Sequence, residues 1–295
     1  MAAENAAEEV KMDLNEEPLA KVITPPVIDY EKEGLIQKEG VPFTTNNEKS
    51  CLMDIVYPAD AQGKLPVVIW VHGGGWSDEN LTRKYLPSRQ LADLAKKGYV
   101  TASIDYRLAQ EAPFPAQIVD CKAAVRYLRA HADTYHVDAD HIAAWGESAG
   151  SHLVELMAYS NDEEFVDENN AGFSSRIQGV VPWYAPADMR KDLEAEGEGE
   201  LYRLLFRAET LEESRHLSEL ASPILYADRK NPPTLLMHGD ADRLVDYGES
   251  VRMEKALREA GNDVMLLTVP GQGHGFFDGE EYYQEIYKFF DRVLK

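Results

Sequence analysis

Apolar runs alternate with amphipathic stretches along most of the chain. Residues 65–71 form a continuous apolar run, which is typical of a strand buried on both faces. A helical pattern through Leu86, Leu91 and Leu94 follows, and a second apolar run covers residues 99–104. The same order then repeats towards the C-terminus. The alternation predicts an α/β fold with a mainly parallel sheet and helices on both faces.

Four later apolar runs continue this pattern, at residues 141–145, 177–183, 234–238 and 264–269. Helical patterns separate them, including a long one from Ile118 to Leu128, and a terminal helix closes the chain. Upstream, residues 35–38 and 51–57 lie on either side of the turn-rich stretch 44–47. Their arrangement predicts an antiparallel start to the sheet.

Two segments do not follow the alternation. Residues 1–33 are acidic and broken by two consecutive prolines, so we expect an N-terminal arm ahead of one domain that spans residues 34–295. Between about residues 186 and 223, a charged helical stretch interrupts the order of strands and helices. We interpret this insertion as a helical cap over the strand ends, with a pair of ordinary surface helices as the alternative.

The sequence Gly-Glu-Ser-Ala-Gly at residues 146–150 joins an apolar run to an amphipathic segment. Strand, Gly-x-Ser-x-Gly and helix, in this order, hold a serine at the apex of a sharp turn, with glycines where a Cβ would clash. Ser148 is therefore a candidate nucleophile. An ordinary serine in a Gly-rich turn would give the same pattern, so the rest of the chain must supply a base, an acid and oxyanion donors.

A serine hydroxyl needs a base at neutral pH, and histidine titrates in the useful range. His274 is the best placed, because it lies between glycines in a loop after a late strand. Asp242 follows the strand that ends at His238 and completes the chain order Ser, Asp, His. We prefer it to Asp240 as the acid that orients the base.

Attack on an ester carbonyl creates an oxyanion, which backbone N–H groups usually stabilise. Gly73, Gly74 and Gly75 follow the first buried strand and carry no side chain that would block their N–H groups. Ala149 adds another N–H at the start of a helix. Together, these positions predict the parts of an acyl-transfer site.

Four motifs resemble the α/β-hydrolase superfamily, and specifically its hormone-sensitive-lipase-like esterases: His-Gly-Gly-Gly-Trp at 72–76, Asp-Tyr-Arg-Leu at 105–108, Gly-Glu-Ser-Ala-Gly at 146–150 and His-Gly-Asp-Ala-Asp at 238–242. The continuation Ser-Ala-Gly-Ser-His-Leu is similar to the branch that contains bacterial feruloyl and acetyl-xylan esterases. The resemblance covers about residue 51 to the C-terminus and leaves the arm and much of the cap unmatched.

The resemblance implies a triad of Ser148, Asp242 and His274. It also implies that the oxyanion donors are the N–H groups of Gly74, Gly75 and Ala149. Two departures stand out: Glu147 occupies a position where the lipase-like group usually has Asp, and the cap lies mid-chain. Both favour the carbohydrate-ester branch over a true lipase.

Composition excludes some partners. The formal net charge of −22 over 295 residues would repel nucleic acid and anionic membrane surfaces. Neither a membrane-spanning run nor a signal-like N-terminus is present in the sequence, so we expect a cytoplasmic protein. Cys51 and Cys121 have no metal-like spacing and are interpreted as reduced, structural thiols. No metal and no organic cofactor is implied.

The expected activity is hydrolysis of short acyl or aromatic esters, including those on plant carbohydrate fragments, by a serine esterase. An aryl formamidase of the same superfamily is the alternative. A receptor-like binding protein of this fold is a third reading, which the presence of His274 disfavours. Trp76, Trp183 and Tyr184 are candidates to line the substrate pocket, although aromatic residues at strand ends are more often core. The sequence leaves a homodimer open.

Overall fold

The computed structural model describes residues 26–84, 87–190, 198–275 and 279–295. The strands in this part of the chain are β1 (Leu35–Pro42), β2 (Leu52–Pro58), β3 (Leu65–Val71), β4 (Val100–Ile104), β5 (Val137–Glu147), β6 (Gly179–Trp183), β7 (Thr234–Gly239) and β8 (Val264–Val269). The helices are α1 (Ser88–Lys96), α2 (Ala116–Ala130), α3 (Ala149–Tyr159), α4 (Glu198–Phe206), α5 (Leu211–Leu220), α6 (Gly248–Glu259) and α7 (Glu280–Leu294), and a short 3₁₀ helix spans Pro223–Tyr226.

The strands described above form one sheet in the order β1-β2-β4-β3-β5-β6-β7-β8. β2 pairs antiparallel with both β1 and β4, and the other neighbours pair parallel. The predicted α/β fold with an antiparallel start is therefore confirmed. β5 begins at Val137, four residues before the apolar run that predicted it, and Leu86 of the first predicted helix lies outside the described residues.

Side chains of the parallel strands alternate between two buried layers, which explains why these strands are apolar throughout. Val67, Ile69 and Val71 of β3 belong to a cluster that includes residues of α2, α3 and α6. Val68 and Trp70 belong to a second cluster, which includes residues of α1 and α7. Because helices cover both faces, a polar residue would be buried at either parity.

The carboxyl ends of the central strands meet at one edge of the sheet. Val71 near the end of β3 pairs with Gly146 near the end of β5, so the loops after these two strands start side by side. β7 and β8 pair in register up to Gly239 and Val269. In sheets of this kind, ligands bind at this edge.

The predicted arm and cap are only partly within the described residues. Residues 1–25 of the arm lie outside them, and residues 26–33 precede β1, where Glu33 forms a two-point ion pair with Arg89 of α1 at 2.7 Å. The cap segment contains α4 and α5, whereas residues 191–197 lie outside the described part. The boundaries of arm and cap stay predictions.

Two other expectations concern the thiols and the membrane. Cys51 and Cys121 are both buried and free, as the sequence predicts. No helix in the described ranges combines the length and the apolarity needed to cross a bilayer.

We expect Gly150→Ala to lower the free energy of unfolding by at least about 3 kcal/mol. A Cβ at this position in α3 would lie 2.2 Å from the Val71 carbonyl oxygen and 2.5 Å from that of His72, so the backbone would have to move. Gly172→Ala is the matched control, since a Cβ there meets nothing within 4 Å. Urea unfolding of both variants checks the prediction, and equal stabilities would contradict it.

Candidate active site

Ser148 sits in a strained turn between β5 and α3. Its backbone angles are φ 48° and ψ −119°, in a region that residues other than glycine rarely adopt. The Ser148 N–H donates to the Trp183 carbonyl oxygen at 3.0 Å, which fixes the turn to the end of β6. A Cβ at Gly146 would lie 2.7 Å from the Gly150 carbonyl group, so strand and helix cross here only because both positions are glycine.

The three predicted triad residues lie in hydrogen-bond contact. His274 Nε2 is 3.0 Å from Ser148 Oγ, and His274 Nδ1 is 2.8 Å from Asp242 Oδ2. The imidazole is about one fifth exposed, at 19%, whereas the Asp242 carboxylate is fully buried. With Nδ1 donating to the carboxylate, Nε2 is left as the acceptor for the serine proton.

Asp242 is held by groups that favour its ionised form. Its Oδ1 accepts hydrogen bonds from the N–H groups of Leu244 and Val245, at 2.8 and 3.0 Å. Its Oδ2 accepts from His274 and also from His238 Nε2, at 3.2 Å. Burial raises the pKa of Asp242, but the hydrogen bonds from the two histidines outweigh burial and hold this pKa well below its usual range.

Asp240, the competitor for the role of acid, points elsewhere. Its Oδ1 accepts from the Gly271 N–H at 2.6 Å and so holds the loop that leads to His274. His238 is fully buried, and its Nδ1 lies 2.8 Å from Ser250 Oγ. His238 therefore contacts Asp242 rather than Ser148.

Residues 72–76 form a loop after β3, here called the glycine loop, that lies against the Ser148 turn. Gly74 and Gly75 have φ values of 99° and 54°, which only glycine adopts freely. Within the described part of the chain, the N–H groups of Gly74, Gly75 and Ala149 donate to no other residue. These three N–H groups are therefore candidates to bind a substrate oxygen.

Buried aromatic residues anchor the glycine loop. The Tyr106 ring stacks on His72 with centroids 4.5 Å apart, and its hydroxyl donates to the His72 carbonyl oxygen at 3.1 Å. At the other end, Trp76 Nε1 donates to His152 Nδ1 at 3.2 Å. His152 Nε2 in turn donates to the Ala221 carbonyl oxygen at 2.6 Å. His152 thus connects the loop, the nucleophile helix and the segment after α5.

The expectation that Trp183 lines the substrate pocket is wrong. Its side chain is fully buried between Trp70 and Trp145, with edge-on ring contacts at 6.2 and 5.1 Å, and its Nε1 donates to Met237 Sδ. Trp183 follows the parity of Val181, so it points into the core layer that includes residues of α7.

Trp76 and Tyr184 are also buried, with exposed fractions of 3% and 1%. Trp76 packs under Tyr202 of α4, with ring centroids 6.2 Å apart. Tyr184 lies beneath the site rather than around it, because its ring contacts the His274 imidazole at 4.4 Å between centroids. Neither presents a broad free face to a ligand.

Sequence reasoning missed the contact between Tyr184 and Glu147. The Tyr184 hydroxyl donates to Glu147 Oε2 at 3.0 Å, and the Gly73 N–H donates to Oε1 at 3.4 Å. The only signal in the sequence was the unusual Glu in the Gly-x-Ser-x-Gly motif.

Helix α4 reaches the glycine loop. The Leu201 side chain lies 3.2 Å from the place that a Cβ of Gly75 would occupy. The carbonyl oxygen of Leu205 accepts from the Phe114 N–H at 2.8 Å, which ties the same helix to the segment before α2. The side chain of Leu201 thus brings α4 into contact with the candidate oxyanion donor Gly75.

A family model described as BD-FAE matches residues 53–257. The chain belongs to the BD-FAE family. Its relatives include esterase LipC of Mycobacterium tuberculosis, which is 32% identical over 234 residues, or 76% of this chain and 57% of LipC. The chain therefore spans little more than half the length of such curated relatives.

Solved structures agree with this family assignment. A truncated form of a carbohydrate esterase from gut microbiota is 29% identical and has a TM-score of 0.77, with 88% of this chain and 96% of that chain covered. Esterase 2 of Thermogutta terrifontis, solved with butyrate bound, is 23% identical with a TM-score of 0.69 over 90% of this chain and 94% of that one, and shows the fold alone. The BD-FAE chain is thus an α/β-hydrolase related to carboxylesterases, and the predicted resemblance to the feruloyl and acetyl-xylan esterase branch is confirmed.

Among the described residues of this BD-FAE chain, no group of three or more His, Cys, Asp or Glu side chains is arranged to hold a metal ion. The described site brings together a serine hydroxyl, an imidazole, a charged carboxylate and backbone N–H groups.

The pH dependence of stability should report on His152. Burial lowers the pKa of His152 to about 4, from 6.5 in an unfolded chain. Between these values the unfolded chain binds a proton that the folded protein does not, so the stability present above pH 6.5 is lost as the pH falls to 4. We expect the stability advantage of wild type over His152→Gln to shrink by about 3 kcal/mol across this window.

Urea unfolding at intervals between pH 7 and 4 measures this difference. His216→Gln is the control, because His216 is an exposed histidine on α5. A constant difference between wild type and His152→Gln would show that the buried imidazole does not titrate in this way.

Proposed function

We propose that the protein is a serine carboxylesterase that hydrolyses short-chain or aromatic esters of the acetyl or feruloyl type on plant carbohydrate fragments. The observation that carries this proposal is the line of contacts from Ser148 Oγ through His274 to Asp242, with distances of 3.0 and 2.8 Å. Family membership supports the reaction class, since relatives such as LipC are named esterases.

In the first half-reaction, Ser148 Oγ attacks the ester carbonyl carbon while His274 Nε2 takes the serine proton. The imidazolium that forms is stabilised by the Asp242 carboxylate, which stays ionised. The carbonyl oxygen becomes an oxyanion and accepts hydrogen bonds from the N–H groups of Gly74, Gly75 and Ala149. Such donors each contribute about 10²- to 10³-fold to the rate.

Collapse of the tetrahedral intermediate breaks the bond to the alcohol oxygen. His274 gives its proton to the leaving alkoxide, and the acyl group stays on Ser148 as an ester. In the second half-reaction, His274 Nε2 takes a proton from a water molecule, which attacks the acyl carbon. The acid product leaves and the proton returns to Ser148.

A solved neighbour supports the carbohydrate-ester assignment, in addition to the sequence motifs. The gut-microbiota carbohydrate esterase is matched over 96% of its length, so the likeness includes nearly all of that chain. In this proposal, the Leu201 side chain of α4 would border the bound ester, because it lies close to Gly75.

A substrate panel tests the proposed function. We expect p-nitrophenyl acetate, methyl ferulate and acetylated or feruloylated xylo-oligosaccharides to be hydrolysed, with the carbohydrate esters giving the highest kcat/KM. N-formylkynurenine belongs in the same panel. A kcat/KM for this formamide above that of every ester would replace the proposal with an aryl formamidase.

Variants of the triad test the mechanism. We expect Ser148→Ala to lower kcat by about 10⁴-fold or more and to abolish labelling by a fluorophosphonate probe. Asp242→Asn should lower kcat by about 10⁴-fold, because Oδ1 stays bound to two backbone N–H groups and the amide nitrogen in place of Oδ2 would donate to His274 Nδ1, which favours the wrong tautomer. Asp240→Asn is the matched control: this residue is exposed, and the Asn oxygen can still accept from the Gly271 N–H, so the loop is kept and kcat should stay within a few-fold of wild type.

If the fluorophosphonate probe does not label the wild-type protein and no ester is hydrolysed, the interpretation as a receptor-like binding protein would replace the proposal.

A further inference from the structure

Glu147 is a buried carboxylate that belongs to neither the triad nor the oxyanion donors. It ends β5, immediately before Ser148, and only 5% of its surface is exposed. Its two oxygens accept from two different loops: Oε2 from the Tyr184 hydroxyl at 3.0 Å, and Oε1 from the Gly73 N–H at 3.4 Å. The side chain therefore joins the glycine loop to the segment after β6.

On one side, the contact fixes the start of the glycine loop. A Cβ at Gly73 would lie 3.1 Å from the Glu147 carbonyl oxygen, 3.2 Å from its Cγ and 3.3 Å from Ser148 Cβ, so the loop crosses the Ser148 turn at van der Waals distance. Because the peptide group between Gly73 and Gly74 is planar, the direction of the Gly73 carbonyl group sets that of the Gly74 N–H. Gly73 gives its own N–H to Glu147, whereas Gly74 and Gly75 keep theirs free of other described residues.

On the other side, the contact fixes the surface on which His274 rests. Tyr184 has a left-handed backbone with φ 42°, and its N–H donates to the Met237 carbonyl oxygen at 2.8 Å. Its ring lies under the imidazole, with centroids 4.4 Å apart and planes at 57°. A rotation of the Tyr184 ring would alter this contact, and the hydrogen bond to Glu147 opposes that rotation.

We propose that Glu147 and Tyr184 are positioning residues that hold the glycine loop and the His274 imidazole in a fixed relation on either side of Ser148. The inference rests on the proposed esterase function, because it assigns the two residues to the alignment of that reaction. Neither residue touches the reacting atoms.

Both partners of the Glu147 carboxyl group are donors, so only the ionised form accepts from both at once. Burial raises the pKa of Glu147 and the hydrogen bonds from Tyr184 and Gly73 lower it; burial outweighs them, and the resulting pKa is about 7. At pH 8 the carboxylate form therefore predominates, and both connections are in place. Experiments that compare variants should be made at this pH.

The test uses Tyr184→Phe, Glu147→Gln and the double variant, with Tyr159→Phe as the matched control. Tyr159 is equally buried, and its hydroxyl also forms one hydrogen bond, to Thr234 Oγ1 at 3.2 Å, at the far end of α3. We expect each of the two single variants to lower kcat by about tenfold, with KM for p-nitrophenyl acetate unchanged. The kcat of the double variant should lie within about threefold of the kcat of the less active single variant, because both changes break the same connection.

A trifluoromethyl ketone inhibitor supplies a second measurement. It adds to Ser148 and presents an oxyanion, so its affinity should fall in parallel with kcat in the two single variants. Tyr159→Phe should lower the unfolding temperature without changing kcat or inhibitor affinity.

Two results would overturn the inference while leaving the esterase intact: kcat of Tyr184→Phe within about twofold of wild type, or losses that multiply in the double variant. If Tyr184→Phe does not fold, the affinity of Glu147→Gln for the trifluoromethyl ketone is the deciding measurement, and an affinity equal to that of wild type would overturn the inference. A wild-type protein that neither turns over esters nor reacts with a fluorophosphonate would overturn both the proposed function and this inference.

Discussion

The contact on which the site depends is the crossing of α3 over the end of β3. At Gly150, the backbone comes so close to the carbonyl groups of Val71 and His72 that even a methyl group would overlap them. This approach has two consequences. It forces the strained conformation of Ser148, since the chain must reverse within one residue, and it brings the glycine loop into contact with the same turn. The candidate nucleophile and the candidate oxyanion donors are therefore aligned by packing of the backbone.

Three buried ionisable groups around this crossing differ in their charge state. Asp242 is buried but keeps its charge, because hydrogen bonds from two histidines and two backbone N–H groups replace the water that it loses. His152 is kept neutral by burial, with one nitrogen donating and the other accepting. Glu147 lies between these cases, since its two donors only partly offset the effect of burial on its pKa. Asp242, which contacts His274, is thus the carboxylate of this set whose charge is held most firmly.

Much of this arrangement could be predicted from the sequence. Apolar runs of strand length and the helical patterns between them predicted the sheet, because burial on both faces leaves little choice of residue. The motif around Ser148 and the loops that carry Asp242 and His274 could be placed at the strand ends, since parallel strands bring their carboxyl ends to one edge. The choice of Asp242 over Asp240 rested on loop position, and the two side chains do diverge, one to His274 and the other to the Gly271 N–H.

The directions of side chains at the strand ends could not be predicted from the sequence, as Trp183 illustrates. Alternation gives the parity of β6, but parity does not tell which face of the sheet carries which helix. That assignment depends on register: Trp145 pairs with Val181 and Glu147 with Trp183, so the indole joins the aromatic layer that includes Trp70. The same limitation applies to the contact between Glu147 and Tyr184, because it joins residues that follow different strands and exists only once β5 and β6 are paired. A pattern within one segment can identify the parts of a site, whereas contacts that align those parts arise from register between segments.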